Sequence, residues 1–427
     1  MIPDRYRFWA QEGSIFPGET ATWYISDYDS RRFISVTSPE HLSPDDEKGA
    51  VEAIRPIIDD LGFDVKGITV DDKGRLVSTS TSLEDDCTVF VRHPRFTEAE
   101  VGADHSDTLK ISQLHEIDRL HVHVDLVRHK QPNRPPESVV FKYTIRPERL
   151  ECLWNEAFLA KRLKGHPNIV PFHKFILDDV EPWFLGFTTA YIRGGTLEEQ
   201  VTKRPFRKIW LQQLMDIVDD LNLKHGIIHQ DIAPRNLLID PSTDNLMLFD
   251  FDRAARIGSH EMYPHRNDVK AVMFTLYEVL TQDNQVRNVR HDEQDVRKVQ
   301  MMEKWNVKTK IETGIDVKTL RSMVDKWAQG RGGPNNAEAG HNPPLPLRWP
   351  RKPPEKKFEP LIINGEPEWP PSERLRRVIP EGVRIVRWER TPYSKLKGGD
   401  SGNVATSCHA QNPSSHQTSK QYEDEVM

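Results

Sequence analysis

The sequence predicts an α+β fold in three parts, on three observations. Residues 1–110 combine one capped helical stretch with alternating, strand-like segments. The middle third runs strand, helix, strand, strand and long helix. From Gly330 onward the chain is first crowded with Gly and Pro and then polar. The expected parts are an N-terminal α+β extension at 1–110, a central domain at 111–331 and a Pro-rich, largely disordered tail at 332–427. A length of 427 residues suits two or three domains of ordinary size.

Composition narrows the class. The chain has 59 Lys plus Arg against 65 Asp plus Glu, a formal charge of -6, so nucleic acid is not expected as the main partner. Cys87, Cys152 and Cys408 are far apart and form no C-x-x-C, which supports neither a disulfide framework nor a zinc site. The opening "MIPDRYRFWAQEGS" lacks a secretory apolar region, and no apolar run approaches the roughly 18 residues that span a bilayer. The expectation is an intracellular protein, cytoplasmic or nuclear, without a membrane span.

The elements follow in order. Ser43-Pro44-Asp45-Asp46 fits a helix start before "EKGAVEAIRPIIDDLG", and Pro56 divides that helix. "FDVKGITVDDKGRLVSTS" reads as a hairpin around an Asp-Asp-Lys-Gly turn, and "CTVFV" as a further short strand. "SVVFKYTI" reads as a strand, "RLECLWNEAFLAKRL" as a helix, and "NIVPFHKFIL" and "WFLGFTTAYI" as strands. In "FRKIWLQQLMDIVDDLNLKHG", Trp210, Leu214, Ile217, Val218 and Leu221 make one apolar helical face. "LLID" and "LMLFD" then flank a Pro-Ser-Thr-Asp-Asn turn, a hairpin that carries the acids before and after it to one edge. Between residues 371 and 393, "PSERLRRVIPEGVRIVRWERTPY" has enough Val, Ile and Trp to dock as an extended segment.

Six features in sequence order resemble the protein-kinase family over residues 112–330. They are Val139-Val140-Phe141-Lys142; Glu156 in the next helix; "HPNIV" at 166–170; the hinge-like "TTAYIRGGTL" at 188–197; His229, Asp231 and Asn236 in the pattern H-x-D-x-x-x-x-N; and Asp250-Phe251-Asp252. "NDVKAVMFTLYEVLT" adds Asp268, which resembles the acid that braces the family's catalytic loop. The alternative use of His229, Asp231 and Asn236 is to cap turns between strands. The resemblance implies a bilobal kinase-like fold, β-rich then helical, with ATP and Mg²⁺ as cofactors. It implies nucleotide contacts from Lys142, Glu156 and Val140 and from the hinge residues Thr189, Ala190 and Ile192. Asn236 and Asp250 would hold the metal, Asp231 would orient the acceptor hydroxyl, and His229, Phe251 and Asp268 would support the site. Phosphoryl transfer needs charge neutralisation and positioning, which is why hard oxygens and cations are the residue types expected. Arg235, four residues after Asp231, is placed like the loop cation of tyrosine kinases and can face the γ-phosphate.

The chain also departs from the family. The three glycine places of the phosphate lid fall near His121, His123 and Leu126; there the two His either reach a phosphate or, alternating with Val122 and Val124, share one solvent face. Gln230 stands where an Arg usually precedes the catalytic Asp, Asp252 replaces a Gly, and only 18 positions separate Asp250 from Asp268, with no A-P-E. Three readings follow: a protein kinase acting on Ser or Thr, with Tyr as the alternative; a small-molecule kinase of the aminoglycoside or choline type; and a pseudokinase that binds or scaffolds. In the tail, Pro343 to Arg348 fits the P-x-x-P-x-R pattern of SH3 ligands, with a bland spacer as the alternative.

Overall fold

The computed structural model describes residues 1–14, 20–39, 46–97, 105–129, 135–200, 204–332, 343–347, 349, 361–363, 366–368 and 384–396. The chain divides into two compact units. One comprises Met1–Trp154, His173–Thr189 and Lys352–Ala405, the other Asn155–Phe172, Ala190–Arg351 and Thr406–Met427.

Among the described residues the first unit holds two large sheets and a two-stranded hairpin, Leu361–Ile363 with Glu366–Glu368. β1 (Phe8–Ser14), β2 (Ala21–Asp27) and β3 (Arg32–Ser38) run antiparallel; α1 (Asp46–Ile54) then crosses over, so that β4 (Gly67–Val70) lies parallel to β3, and β5 (Leu76–Ser80) returns along β4. α1 ends before Pro56, whose ring cannot continue it, and its expected start at Ser43 to Asp45 lies outside the described residues. The β4–β5 turn is the Asp-Asp-Lys-Gly turn: Asp71 Oδ1 accepts from the N–H groups of Lys73 and Arg75 at 2.9 Å, and Gly74 takes a φ of 72°. Ile25, Ile34, Ile54, Ile58 and Ile68 fill the core, each worth about 1.5–3 kcal/mol of burial. "CTVFV" does not form the expected strand. Only Val89 makes a single bridge, and Cys87, Val89 and Val91 are buried by packing rather than by a ladder.

The second sheet contains β6 (Thr108–Lys110), β7 (Leu114–His121), β8 (Val124–His129) and β9 (Glu137–Tyr143). After α2 (Leu150–Arg162), which passes from the first unit into the second, come β10 (Phe172–Leu177) and β11 (Phe184–Ala190), in the order β6-β10-β11-β9-β8-β7. Val139, Phe141 and Tyr143 put every second side chain of β9 into a core shared with Tyr28, Phe33, Val89 and Trp388. Trp388 comes from the tail. Its indole stacks on Tyr143 at 5.2 Å, and nearby Arg390 pairs with Glu116 and Asp125. The segment 384–396 is therefore docked, as its Val, Ile and Trp content suggested.

The turn between β7 and β8 corrects a second expectation. It is two residues long, Val122 and His123, and His123 has a φ of 60°. That left-handed residue breaks the alternation, so the two His do not share a solvent face. His121 stays exposed with its ring 5.0 Å from Tyr6, while His123 turns inward, edge-on to Tyr28 at 5.1 Å. Burial, reinforced by Arg146, Arg149 and Arg31, holds His123 well below its ordinary pKa and therefore neutral at pH 7.

The second unit is mainly helical. α3 (Leu197–Gln200) and α4 (Lys208–Asp219) precede β12 (Ile227–Ile228); β13 (Leu237–Ile239) pairs with β14 (Leu246–Leu248); β15 (Ala255–Arg256) pairs with β12; and α5 (Asp268–Thr281), α6 (Val296–Gln300) and α7 (Val317–Gly330) complete it. The expected face of α4 is buried: Trp210, Leu214, Ile217, Val218 and Leu221 pack against Val272, Leu276, Leu320 and Val324 in one core. α5 is buried nearly all round and is capped by Asn267, whose side chain accepts from the N–H of Val269 at 2.7 Å. No described helix is long and apolar enough to cross a membrane. In the segment Pro343 to Leu347, Leu345 N–H donates to Lys224 O at 3.0 Å, five residues past the end of α4; Arg348 lies outside the described residues.

Candidate functional site

The loop after β12 is built on a buried carboxylate. Asp268, at the start of α5, accepts from the backbone N–H of His229 at 2.8 Å and of Gln230 at 2.9 Å, and from the Asn222 amide at 3.0 Å. Asn222 lies in a widened helical turn, Asp220–Lys224, that follows α4, and the same amide reaches Ile227 O at 2.8 Å. The three donors satisfy Asp268 without a cation and hold the loop's backbone to the most buried helix of the unit. The sequence pointed to Asp268. It did not point to Asn222, whose role depends on a helical bulge that no residue pattern announces.

His229 fixes the next layer. Its Nε2 donates to Phe249 O at 3.1 Å and its Nδ1 accepts from Asp231 N–H at 3.3 Å, so these bonds choose the tautomer. The ring also packs against Phe251 at 4.8 Å. Phe251 N–H in turn donates to Glu156 of α2 at 3.1 Å. His229, Phe251 and Glu156 thus join the segment before Asp231 to the segment after Asp250.

Asp231 lies at the centre. One carboxylate oxygen accepts from Arg235 and the other from the Asn236 amide at 2.8 Å; that amide also bonds Asp231 O at 2.8 Å. Burial pushes the Asp231 carboxyl up, but Arg235, His229 and Arg253 outweigh it and leave the group below the ordinary carboxylate range, hence ionised at neutral pH. With its nitrogen turned to Asp231, Asn236 presents its carbonyl oxygen. Phe249 N–H donates to Asn236 O at 3.2 Å, which brings the chain at Asp250 beside Asn236, and Asp250 adopts a φ of 70°. Among the described residues no cluster of three or more His, Cys, Asp or Glu has metal-binding geometry. One carboxylate and one amide oxygen are instead the donor set of an ion that keeps water and phosphate ligands, as Mg²⁺ does.

Gln230 does more than its sequence position indicated. Its side-chain nitrogen donates to Arg253 O at 2.7 Å and Glu261 O at 3.0 Å, and its oxygen accepts from Tyr263 N–H at 2.6 Å. The short stretch after Asp250 is thereby pinned at three backbone points by one neutral amide. The only available signal was the replacement of a usual Arg.

The remaining predicted residues lie on the sheet or at its end. Lys142 and Val140 share the face of β9 opposite Val139 and Phe141; Lys142 is buried. Gly186 of β11 lies against it, and a Cβ there would strike Lys142 O. Thr189 and Ala190 end β11, half-buried with Ile192, and Ala190 N–H donates to Pro171 O at 2.9 Å. Asp231, Arg235, Asn236, His229, Phe251, Asp268 and Glu156 form one bonded set within the second unit, whereas Lys142 and Val140 belong to the first.

Comparison with known proteins adds sequence relationships. Residues 138–296 match the family described as protein kinase domain. The chain is 30% identical over 130 residues to CBL-interacting serine/threonine-protein kinase 21 of Arabidopsis thaliana, covering 29% of this chain and 30% of that protein. It is 35% identical over 98 residues to CBL-interacting protein kinase 5 of Oryza sativa subsp. japonica, covering 22% and 20%, and 35% identical over 94 residues to CBL-interacting protein kinase 12 of the same organism, covering 21% and 16%. The chain spans under a third of the length of each of these relatives.

Proposed function

The chain carries, in residues 138–296, a domain of the eukaryotic-type protein kinase family, and from that premise we propose that it transfers the γ-phosphoryl group of ATP to a Ser or Thr hydroxyl of a protein. The observation that carries this reading is the bonded set of Asp231, Arg235 and Asn236, with an ionised carboxylate at its centre. When bound, ATP would supply the phosphoryl group and leave as ADP, and Mg²⁺ would supply most of the neutralising charge. Asp231 orients the acceptor hydroxyl and takes its proton. Arg235 lies close enough to balance charge on the transferred group while keeping the Asp231 carboxylate ionised. Asn236 and Asp250 offer oxygens to the metal, and Lys142 offers a cation to the α- and β-phosphates.

Transfer of label from γ-labelled ATP to a protein panel and to a metabolite panel, with Asp231→Asn as control, tests the proposal. Labelled Ser or Thr that disappears in the variant is the expected result. Labelled metabolites alone would replace it with a small-molecule kinase, the reading favoured by the 18 positions from Asp250 to Asp268. Label in neither panel, with ATP still bound, would leave a binding module.

A further inference from the structure

Arg287 follows α5 in the chain, lies outside every motif identified above, and reaches back beneath the loop of Asp231. Its Nη1 donates to Ile232 O at 2.6 Å, and its Nη2 donates to Ala271 O and to Thr275 Oγ1, both at 3.0 Å. Its Nε lies 2.8 Å from Glu278 Oε1, and only 15% and 10% of the two side-chain surfaces are exposed. Thr275 Oγ1 donates to the same Ile232 O at 3.3 Å. One planar guanidinium therefore ties the Ile232–Ala233 peptide, the second after Asp231, to three points along α5. A lysine has no fork with which to reproduce this.

We propose that Arg287, seated on Glu278, is a positioning residue for phosphoryl transfer: it holds the Ile232 carbonyl and so sets the direction of the Asp231 carboxylate. This rests on the reading of Asp231 given above. Asp268 fixes the loop by the backbone N–H groups before Asp231, and Arg287 fixes it by the carbonyl after, so the two together clamp one residue from both sides. A misplacement of about 1 Å at such a group costs on the order of 100-fold in rate.

Glu278 makes the clamp sensitive to pH. It faces Arg287 from the segment after α5, Arg235 from the catalytic loop and Glu198 from α3; burial, the largest influence, pushes it up to about 7 against the pull of the two arginines. Asp231 lies below the ordinary carboxylate range, so a rate change near neutrality belongs to a different group. As pH falls through about 7, Glu278 takes a proton, its ion pair with Arg287 is lost and the rate declines.

The test compares the full chain with Arg287→Lys and Glu278→Gln, using amide hydrogen exchange at residues 229–236, steady-state kinetics and the pH profile of kcat. In Arg287→Lys, exchange in that loop should quicken about tenfold while amides of β1 to β5 keep their rates, and kcat should fall about 10- to 100-fold with KM for ATP unchanged. Glu278→Gln should lower kcat less and remove the limb near pH 7. Unchanged loop exchange in both variants overturns the proposal, as does faster exchange spread evenly over the chain. If the unaltered protein labels no substrate, phosphoryl transfer fails as the function, and the exchange measurement still decides whether Arg287 holds the loop. Should Arg287→Lys not fold, Glu278→Gln carries the same comparison.

Discussion

Asp268 and Asp125 are both 1% exposed, and the chain supports them in opposite ways. Asp268, under the loop of Asp231, accepts three N–H bonds from residues 38, 39 and 46 positions away, none of them cationic. Asp125, on the hairpin that stands where the family's phosphate lid is expected, is gripped by the guanidinium groups of Arg31 and Arg390, 94 and 265 positions away. Neutral N–H groups directed at one carboxylate fix the backbone that bears them, which suits the role proposed for Asp231. Paired charges fasten distant segments together. The loop of Asp231 is thus held by nearby chain, and the hairpin of Asp125 by one early and one late segment.

If that contrast is right, damage to the two regions should separate. The largest effect is expected for Asp231→Asn: transfer should fall by about 10³-fold or more while the Mg·ATP-induced rise in Tm persists. Loss of the Tm shift along with activity would mean that Asp231 binds nucleotide rather than acceptor. Trp388→Ala removes the tail's indole from the shared core and should cost about 3–5 kcal/mol in urea unfolding of the full chain, with loop exchange at 229–236 unaltered. A cost below about 1 kcal/mol would show that the tail rests on the sheet without holding it.

Gln230→Ala leaves Arg253 O, Glu261 O and Tyr263 N–H without their side-chain partner, at about 1–3 kcal/mol of local stability. Limited proteolysis should then cut between residues 253 and 263, whereas the unaltered chain resists; equal cutting of both would remove Gln230 from that role. The smallest effect belongs to Arg235→Ala. The Asp231 carboxyl is depressed in the folded chain, so its contribution to stability is complete above the unfolded carboxylate range and is lost as pH falls through the folded value. Because half of the Arg235 side chain is exposed, its removal should cost less than about 1 kcal/mol at pH 7, and unfolding measured from pH 7 down to 2 should show that difference vanish in acid. A difference that grew in acid would have the wrong sign for a depressed carboxyl.

How far each region could be read in advance follows the same division. The α4 face, the β4–β5 and β13–β14 hairpins, and the gathering of Asp231, Asn236 and Asp268 at one loop were all legible in the sequence. They depend on periodicity, on turn residues and on oxygens placed at short spacing, which are properties of neighbouring residues. Tertiary structure alone decided that "CTVFV" lies in a core without joining a ladder, that His123 turns inward, that Trp388 and Arg390 pack on Tyr143 and Asp125 more than 200 residues earlier, and that Arg287 reaches Ile232. In each of these cases the partner is remote in sequence or is a backbone carbonyl, which every residue has and no residue type marks. A charge buried against a distant charge looks, in one dimension, like any surface arginine; only packing removes the water that makes the two equivalent.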